Sequence, residues 1–180
     1  MSYHQLSQGI LLDEETIQKR IQELGQQINH DYNGVKDLLL VCILKGGVLF
    51  LTDLMRCIHV PHAIDFMAVS SYGMGARETT GAVRIDLDLR QDIIGKHLII
   101  VEDIVDTGLT VSYLRKLLLA RKPADLKLAS LLYKPANLKH DVEIDYLAFE
   151  IEDKFVIGYG LDYAGRYREL PFIGILNAGH

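Results

Sequence analysis

The sequence predicts an α/β fold, a central and mainly parallel sheet flanked by helices on both faces. Three observations carry that expectation. Short unbroken apolar runs, Leu38–Leu44 and Leu98–Val101, read as strands buried on both faces, because a strand with one solvated face alternates instead, and the mainly apolar residues 126–133 read as another strand. Segments with apolar residues at helical spacing separate these runs, the alternation that builds a parallel sheet with crossover helices. Polar and glycine-rich stretches collect where the strands end, which is where ligands bind in such sheets.

Taken in order, Asp13 is placed to cap a helix over residues 14–29, with Ile17, Ile21, Leu24 and Ile28 on one face and His30 at the surface. The strand 38–44 runs into Lys45-Gly46-Gly47 and a helix carrying Val48, Leu49, Leu51, Leu54 and Met55. Residues 63–69 alternate as a third strand. The glycine-rich polar tract 70–82 follows, then Val83, Ile85 and Leu87 in the pattern of a half-exposed strand. Together these read as a long β-ribbon with a mobile tip, serving as a lid over residues 70–83 or standing as a disordered hairpin. Strand 98–101 is expected to leave the sheet at Glu102 and Asp103. Asp106-Thr107-Gly108-Leu109-Thr110 then turns into a helix with Val111, Leu114, Leu117 and Leu118 on one face. Strand 126–133 ends at Lys134, and strands at 146–151 and 172–176 complete the chain.

Composition limits the function. A length of 180 residues with 49% hydrophobic content makes one domain with a sizeable core. The net charge of −5 argues against a broad nucleic-acid footprint, so a polyanionic ligand must rely on a few local cations, amides and metal. Cys42 and Cys57 lie in apolar surroundings without metal-ligand spacing and read as core thiols of a reducing compartment. With no signal-peptide pattern and no run of about 18 uncharged apolar residues, no membrane association and a cytoplasmic location are expected.

The stretch 98–110 carries the chemistry. Unpaired amides at a helix N-terminus, at the positive end of its dipole, stabilise a bound phosphate. Thr107 and Thr110 add hydroxyl donors, and Gly108 lets the backbone approach the anion. Two carboxylates beside an anion site would repel it unless the ligand also offers hydroxyls, as a ribose does, or arrives with a divalent cation. Lys45-Gly46-Gly47 is a second turn of the same kind, suited to pyrophosphate.

The run Val101-Glu-Asp-Ile-Val-Asp-Thr-Gly-Leu-Thr110 closely resembles the ribose-phosphate signature of the type I phosphoribosyltransferases, in the form of the hypoxanthine-guanine branch. The likeness extends from about residue 8 to 176. It implies transfer of 5-phosphoribosyl from 5-phosphoribosyl pyrophosphate to N9 of a 6-oxopurine, giving inosine or guanosine monophosphate and pyrophosphate, with Mg²⁺ as cofactor. It also implies a single domain with a small hood from about residues 1–10 and 150–180, and a homo-oligomer, dimer or tetramer.

The resemblance assigns roles by position. Glu102 and Asp103 take the ribose hydroxyls. Asp106, Thr107, Gly108, Leu109 and Thr110 take the 5′-phosphate, with Asp106 also the general acid/base at purine N7. Lys45, Gly46, Arg168, Ser71 and Tyr72 serve the pyrophosphate. Lys134 donates to the purine 6-oxo group, Phe155 stacks on the base, the Val156 backbone reads its Watson–Crick edge, and Asp162 sits near its 2-position. Glu102, Asp103 and Asp162 are the metal-side carboxylates. Arg166 reads as solvated, and by composition alone Phe155 would be a core residue. Leu44-Lys45-Gly46-Gly47 matches the pyrophosphate loop, for which a cis Leu44–Lys45 peptide is implied that no sequence feature shows. Leu109 stands where some relatives carry lysine; the backbone amide binds there, so one peripheral charge is missing. The rival readings are a transferase for xanthine, or for adenine if Lys134 is misplaced, and a non-catalytic regulator sensing the same phosphoribosyl ligand. The regulator would call for a basic face that the net charge does not suggest.

Overall fold

A six-stranded sheet with strand order β4-β3-β2-β5-β6-β7 forms the centre of the computed structural model, which describes residues 9–71 and 83–176. Its strands are β2 (Leu38–Leu44), β3 (His62–Ser71), β4 (Val83–Leu87), β5 (His97–Val105), β6 (Asp125–Tyr133) and β7 (Tyr146–Glu150). All neighbours pair in parallel except β4, which runs antiparallel on the outer edge of β3. A separate three-stranded antiparallel sheet joins β1 (Ile10–Leu12), β9 (Ile173–Ile175) and β8 (Val156–Ile157).

The apolar runs behave as doubly buried strands should. In β2, Leu38, Leu40 and Cys42 pack against helices α1 (Glu14–Asp31) and α2 (Val48–Cys57). The alternate residues Leu39, Val41 and Ile43 pack on the opposite face with Val111, Leu114 and Leu118 of α3 (Leu109–Leu119). Each such side chain, fully removed from water, contributes on the order of 1.5–3 kcal/mol, so the sheet is held from both sides. Asp13 caps α1 by accepting from the Thr16 amide at 2.8 Å, and Ile17, Ile21, Leu24 and Ile28 are fully buried. Arg20 donates to the carbonyls of Leu147 and Ala148, covering the β7 edge that would otherwise expose a free ladder.

One sequence expectation is corrected. The β5 strand does not leave the sheet at Glu102 but continues to Val105, because β6 keeps pairing with it from His97↔Asp125 through Val105↔Tyr133. Its pairing with β2 stops earlier, at Cys42↔Val101. Glu102 and Asp103 therefore lie inside a strand, on the side where its neighbour has turned away. The helix following β2 lies on one face of the sheet and the helix following β5 on the other. That reversal between adjacent strands opens a crevice at their carboxyl ends, the place where open α/β sheets bind ligands.

Of the expected lid, Ser71 ends β3, whereas Tyr72 and the tract to residue 82 lie outside the described residues. Residues 1–8 and 177–180 of the expected hood also lie outside them.

Candidate active site

Two strand-to-helix turns flank the crevice. After β5, Gly108 stands at the N-cap of α3 with φ +78°, a conformation that costs other residues roughly 1–2 kcal/mol. Ser112 is the first residue to donate back into the helix, to the Gly108 carbonyl at 2.9 Å, so the preceding amides face outward. The Leu109 amide meets Thr107 Oγ1 only at 3.4 Å. The turn is braced from outside, where the Lys139 and His140 amides both donate to the Thr107 carbonyl. Asp106, Thr107, Gly108, Leu109 and Thr110 line a cavity of about 240 Å³ that also reaches Glu102.

After β2, the Leu44–Lys45 peptide is cis. Lys45 is exposed, whereas Gly46 and Gly47 are buried. Space, not φ, requires glycine at position 46. A Cβ there would stand 1.5 Å from Asp103 Oδ2, and one on Gly160 would stand 2.1 Å from the Gly46 carbonyl oxygen. The Lys45 loop is thus gripped between the acid pair and the segment after β8.

The acid pair is electrostatically unfinished. Glu102 is 7% exposed, and its Oε2, like Asp106 Oδ1, is buried with no hydrogen-bond partner among the described residues. Burial, and secondly the neighbouring Asp103 charge, push the Glu102 carboxyl well above its ordinary range. Asp103 is also raised by burial, against the pull of the Ile104 amide and the Arg168 charge. Buried polar atoms are seldom left unpaired, so these carboxylates fit a ligand that brings hydroxyl donors, a cation or both. No group of three His, Cys, Asp or Glu among the described residues could hold a metal ion. Any cation here would therefore need ligand oxygens to complete its shell.

A second cavity, of about 280 Å³, brings together Asp103, Asp106, Lys134, Phe155, Val156 and Asp162. Lys134 follows the last residue of β6, its side chain 9% exposed and its amide donating to the Val105 carbonyl at 2.9 Å, next to Asp106. Phe155 is not a core residue: it is 50% exposed and meets Tyr163 edge-on with ring centroids 5.9 Å apart. Val156 is buried in β8, and the preceding carbonyl, that of Phe155, accepts from the Leu176 amide. Arg168 and Asp162 form an ion pair at 2.6 Å, Arg168 also donates to the Gly160 carbonyl, and Arg166 is exposed.

Sequence reasoning missed three contacts that shape this site. Tyr159 Oη donates to Asp53 of α2, Gly160 abuts Gly46, and Asp153 accepts from both Lys134 and Asn137. Their partners are 106, 114, 19 and 16 residues apart (the last two both to Asp153), and no local pattern announces any of them.

An α/β sheet with a phosphate-type turn, an acid pair and an aromatic-and-lysine cavity at one switch point defines a nucleotide-handling site. The phosphoribosyl transferase domain model matches residues 7–164, and the chain belongs to that family. It is 51% identical over 174 residues to the hypoxanthine-guanine phosphoribosyltransferase of Mycobacterium bovis, covering 94% of this chain and 86% of that one. It is 46% identical to the hypoxanthine phosphoribosyltransferase of Salmonella typhimurium, covering 92% and 93% of the two chains. Among solved structures, the hypoxanthine phosphoribosyltransferase of Staphylococcus aureus superposes with a TM-score of 0.89 at 47% identity, covering 93% of this chain and 90% of that one. The Trypanosoma cruzi enzyme in complex with the product IMP gives 0.87 at 43%, covering 94% of each.

Proposed function

We propose that this protein transfers the 5-phosphoribosyl group of 5-phosphoribosyl pyrophosphate to N9 of hypoxanthine or guanine, releasing pyrophosphate. The observation that carries the reading is the convergence of Asp103, Asp106, Lys134, Phe155 and Asp162, from separate segments, on one cavity adjoining an open helix N-terminus. The identity to relatives named for these purines supports the choice of base.

Each part of the substrate pair then has a partner suited to its chemistry. The outward amides from Thr107 to Thr110 hold the 5′-phosphate. Glu102, buried with one oxygen unpartnered among the described residues, and Asp103 beside it accept from the 2′- and 3′-hydroxyls and so fix the ribose. The Lys45 and Gly46 backbone and the Arg168 guanidinium, which keeps free donors beyond those used on Asp162 and Gly160, receive the departing pyrophosphate. Mg²⁺, held by these carboxylates together with substrate oxygens, would neutralise charge on the leaving group. Phe155 offers its half-exposed ring as a stacking face, the Val156 backbone lies at the base's edge and Asp162 near its 2-position. Asp106 exchanges a proton with N7, a role that typically contributes about 10²–10⁴-fold. Lys134 donates to the 6-oxo oxygen. Adenine would set an amino group against the ammonium, donor against donor, at a cost of about 1–3 kcal/mol.

The test is pyrophosphate release with Mg²⁺ and 5-phosphoribosyl pyrophosphate, comparing hypoxanthine, guanine, xanthine and adenine. Turnover with hypoxanthine or guanine and none with adenine is expected. A preference for xanthine would move the base assignment. Silence with all four, with the phosphoribosyl ligand still bound, would mean a sensor rather than a transferase.

A further inference from the structure

We propose that Asp153 and Asn137 are positioning residues that aim the Lys134 ammonium and so set the selectivity for 6-oxopurines; this rests on the transfer reading above. Lysine is a point charge on a four-carbon stem with three rotatable donors, and it carries no directional preference of its own. A selector must nonetheless present its donors in a fixed direction. Here the stem is buried to 9% exposure, and Lys134 Nζ lies 3.3 Å from Asp153 Oδ1. The same oxygen accepts from Asn137 Nδ2 at 2.8 Å.

Local structure puts the three residues in reach of one another. Pro135 opens a 3-10 turn, Pro135–Asn137, directly after Lys134, and the Asn137 amide donates to the Lys134 carbonyl at 3.2 Å. That turn brings the Asn137 side chain back beside the lysine it follows. Asp153 comes from the segment between β7 and β8, two residues before Phe155. Hydrogen bonds from Asn137 and then Lys134 hold the Asp153 carboxyl below its ordinary range, keeping it anionic as an acceptor.

Magnitude decides what this contact does. The Asp153 side chain is 58% exposed, so its attraction for the ammonium is screened and adds little stability. What it supplies is direction. One ammonium donor is committed to Asp153, which leaves the others for the cavity shared with Asp106 and Phe155. An exposed ion pair of ordinary kind would have no such link to base choice.

Steady-state kinetics on Asp153→Asn, Asn137→Ala, Lys134→Ala and the Asp153→Asn/Lys134→Ala double variant distinguish the two. Asp153→Asn is expected to raise KM for hypoxanthine and guanine by about tenfold, because a misaimed ammonium forfeits its charged hydrogen bond to the base. KM for 5-phosphoribosyl pyrophosphate should stay within about twofold and the melting temperature should be unchanged, since a screened surface pair contributes little. Asn137→Ala should act in the same direction more weakly. The double variant should be no worse than Lys134→Ala alone, because the effect runs through that lysine. Wild-type base KM in Asp153→Asn, equal losses toward both substrates, or additivity with Lys134→Ala would each overturn the proposal. Absence of turnover by the unmodified protein with any base would instead overturn the transfer reading, and this inference with it.

Discussion

The turns after β2 and β5 lie side by side at the carboxyl ends of two central strands, both lead into helices, and in the proposed reaction both offer backbone to an anion. They are built on different principles. The Asp106–Thr110 turn is the more local: its shape follows mainly from Gly108 at φ +78° and from the helix that begins there, with the Lys139 and His140 amides on the Thr107 carbonyl as its outside brace. The Lys45–Gly47 turn is closed partly by its own bonds, the Gly47 amide donating to the Ile43 carbonyl and the Val48 amide to the Lys45 carbonyl. Contacts with Asp103 and Gly160, from two other parts of the chain, confine it. A local cradle can be disturbed by its own residues, whereas a shared one can be disturbed from a distance.

Substituting the two glycines exposes that difference most strongly. Gly46→Ala would place a methyl 1.5 Å from Asp103 Oδ2 and 2.3 Å from its Cγ, so the carboxylate must move. Displacing a positioned group by about 1 Å can cost about 10²-fold in rate. A loss of that order in kcat/KM is therefore expected, largely through phosphoribosyl pyrophosphate. Gly108→Ala meets a left-handed φ and the His140 carbonyl at 2.5 Å, so it should strike stability as well. Backbone strain of roughly 1–2 kcal/mol lowers Tm by about 2–4 °C per kcal/mol in a domain of this size. Thermal melts beside kinetics check the pair. Gly46→Ala melting lower than Gly108→Ala would reverse the assignment of local and shared.

How much of this was legible in the chain follows the same division. Strand β2 coincides with the run Leu38–Leu44, and α1 extends the expected helix by two residues to Asp31, because these rest on local periodicity. The 106–110 turn was readable for the same reason. The length of β5 was not, since its continuation past Val101 depends on pairing with β6, which the local pattern does not contain. Phe155 read as core from composition and stands half exposed. Its neighbours decide that, not its type. The grip on Gly46 and the anchoring of Tyr159 join residues far apart in sequence and were invisible until the fold brought them together.

The acid pair offers a smaller effect with a definite sign in pH. Glu102 is held well above its ordinary value of 4.5 in the ligand-free protein. A raised carboxyl binds more protons folded than unfolded, so its contribution is fully present below about pH 4.5 and is lost as pH rises through the folded value. Glu102→Gln should therefore raise Tm at pH 7.5, while the difference from the unmodified protein closes toward pH 4.5. A Glu102→Gln protein that melts lower at pH 7.5 would mean that the carboxylate is satisfied in the free fold and is not waiting for a ligand.

The mildest change acts at the largest sequence distance. Residues 158–160 all have positive φ, and Tyr159 is the one without glycine's freedom, at +48°. Its hydroxyl donates to Asp53 Oδ2, which also accepts from Gln18 Nε2 at 2.6 Å, tying the segment to both α1 and α2. Burial, then this contact, raise the phenol's pKa, so it remains a donor throughout the physiological range. Tyr159→Phe deletes one hydrogen bond to a charged acceptor, worth about 1.5–3 kcal/mol when the acceptor is dry. Asp53 keeps Gln18 and is partly exposed, so the loss should fall below that range. Because Gly160 bears on the Gly46 carbonyl, loosening Tyr159 should reach the Lys45–Gly47 turn and, if that turn binds pyrophosphate as proposed, raise KM for 5-phosphoribosyl pyrophosphate by about threefold, less than the tenfold that 1.4 kcal/mol would give. KM for the base should hold, since Phe155 and Lys134 sit outside this contact. If Tyr159→Phe lowers Tm and leaves both KM values alone, the anchor serves the fold only, and the turn after β2 is less dependent on its neighbours than its contacts imply.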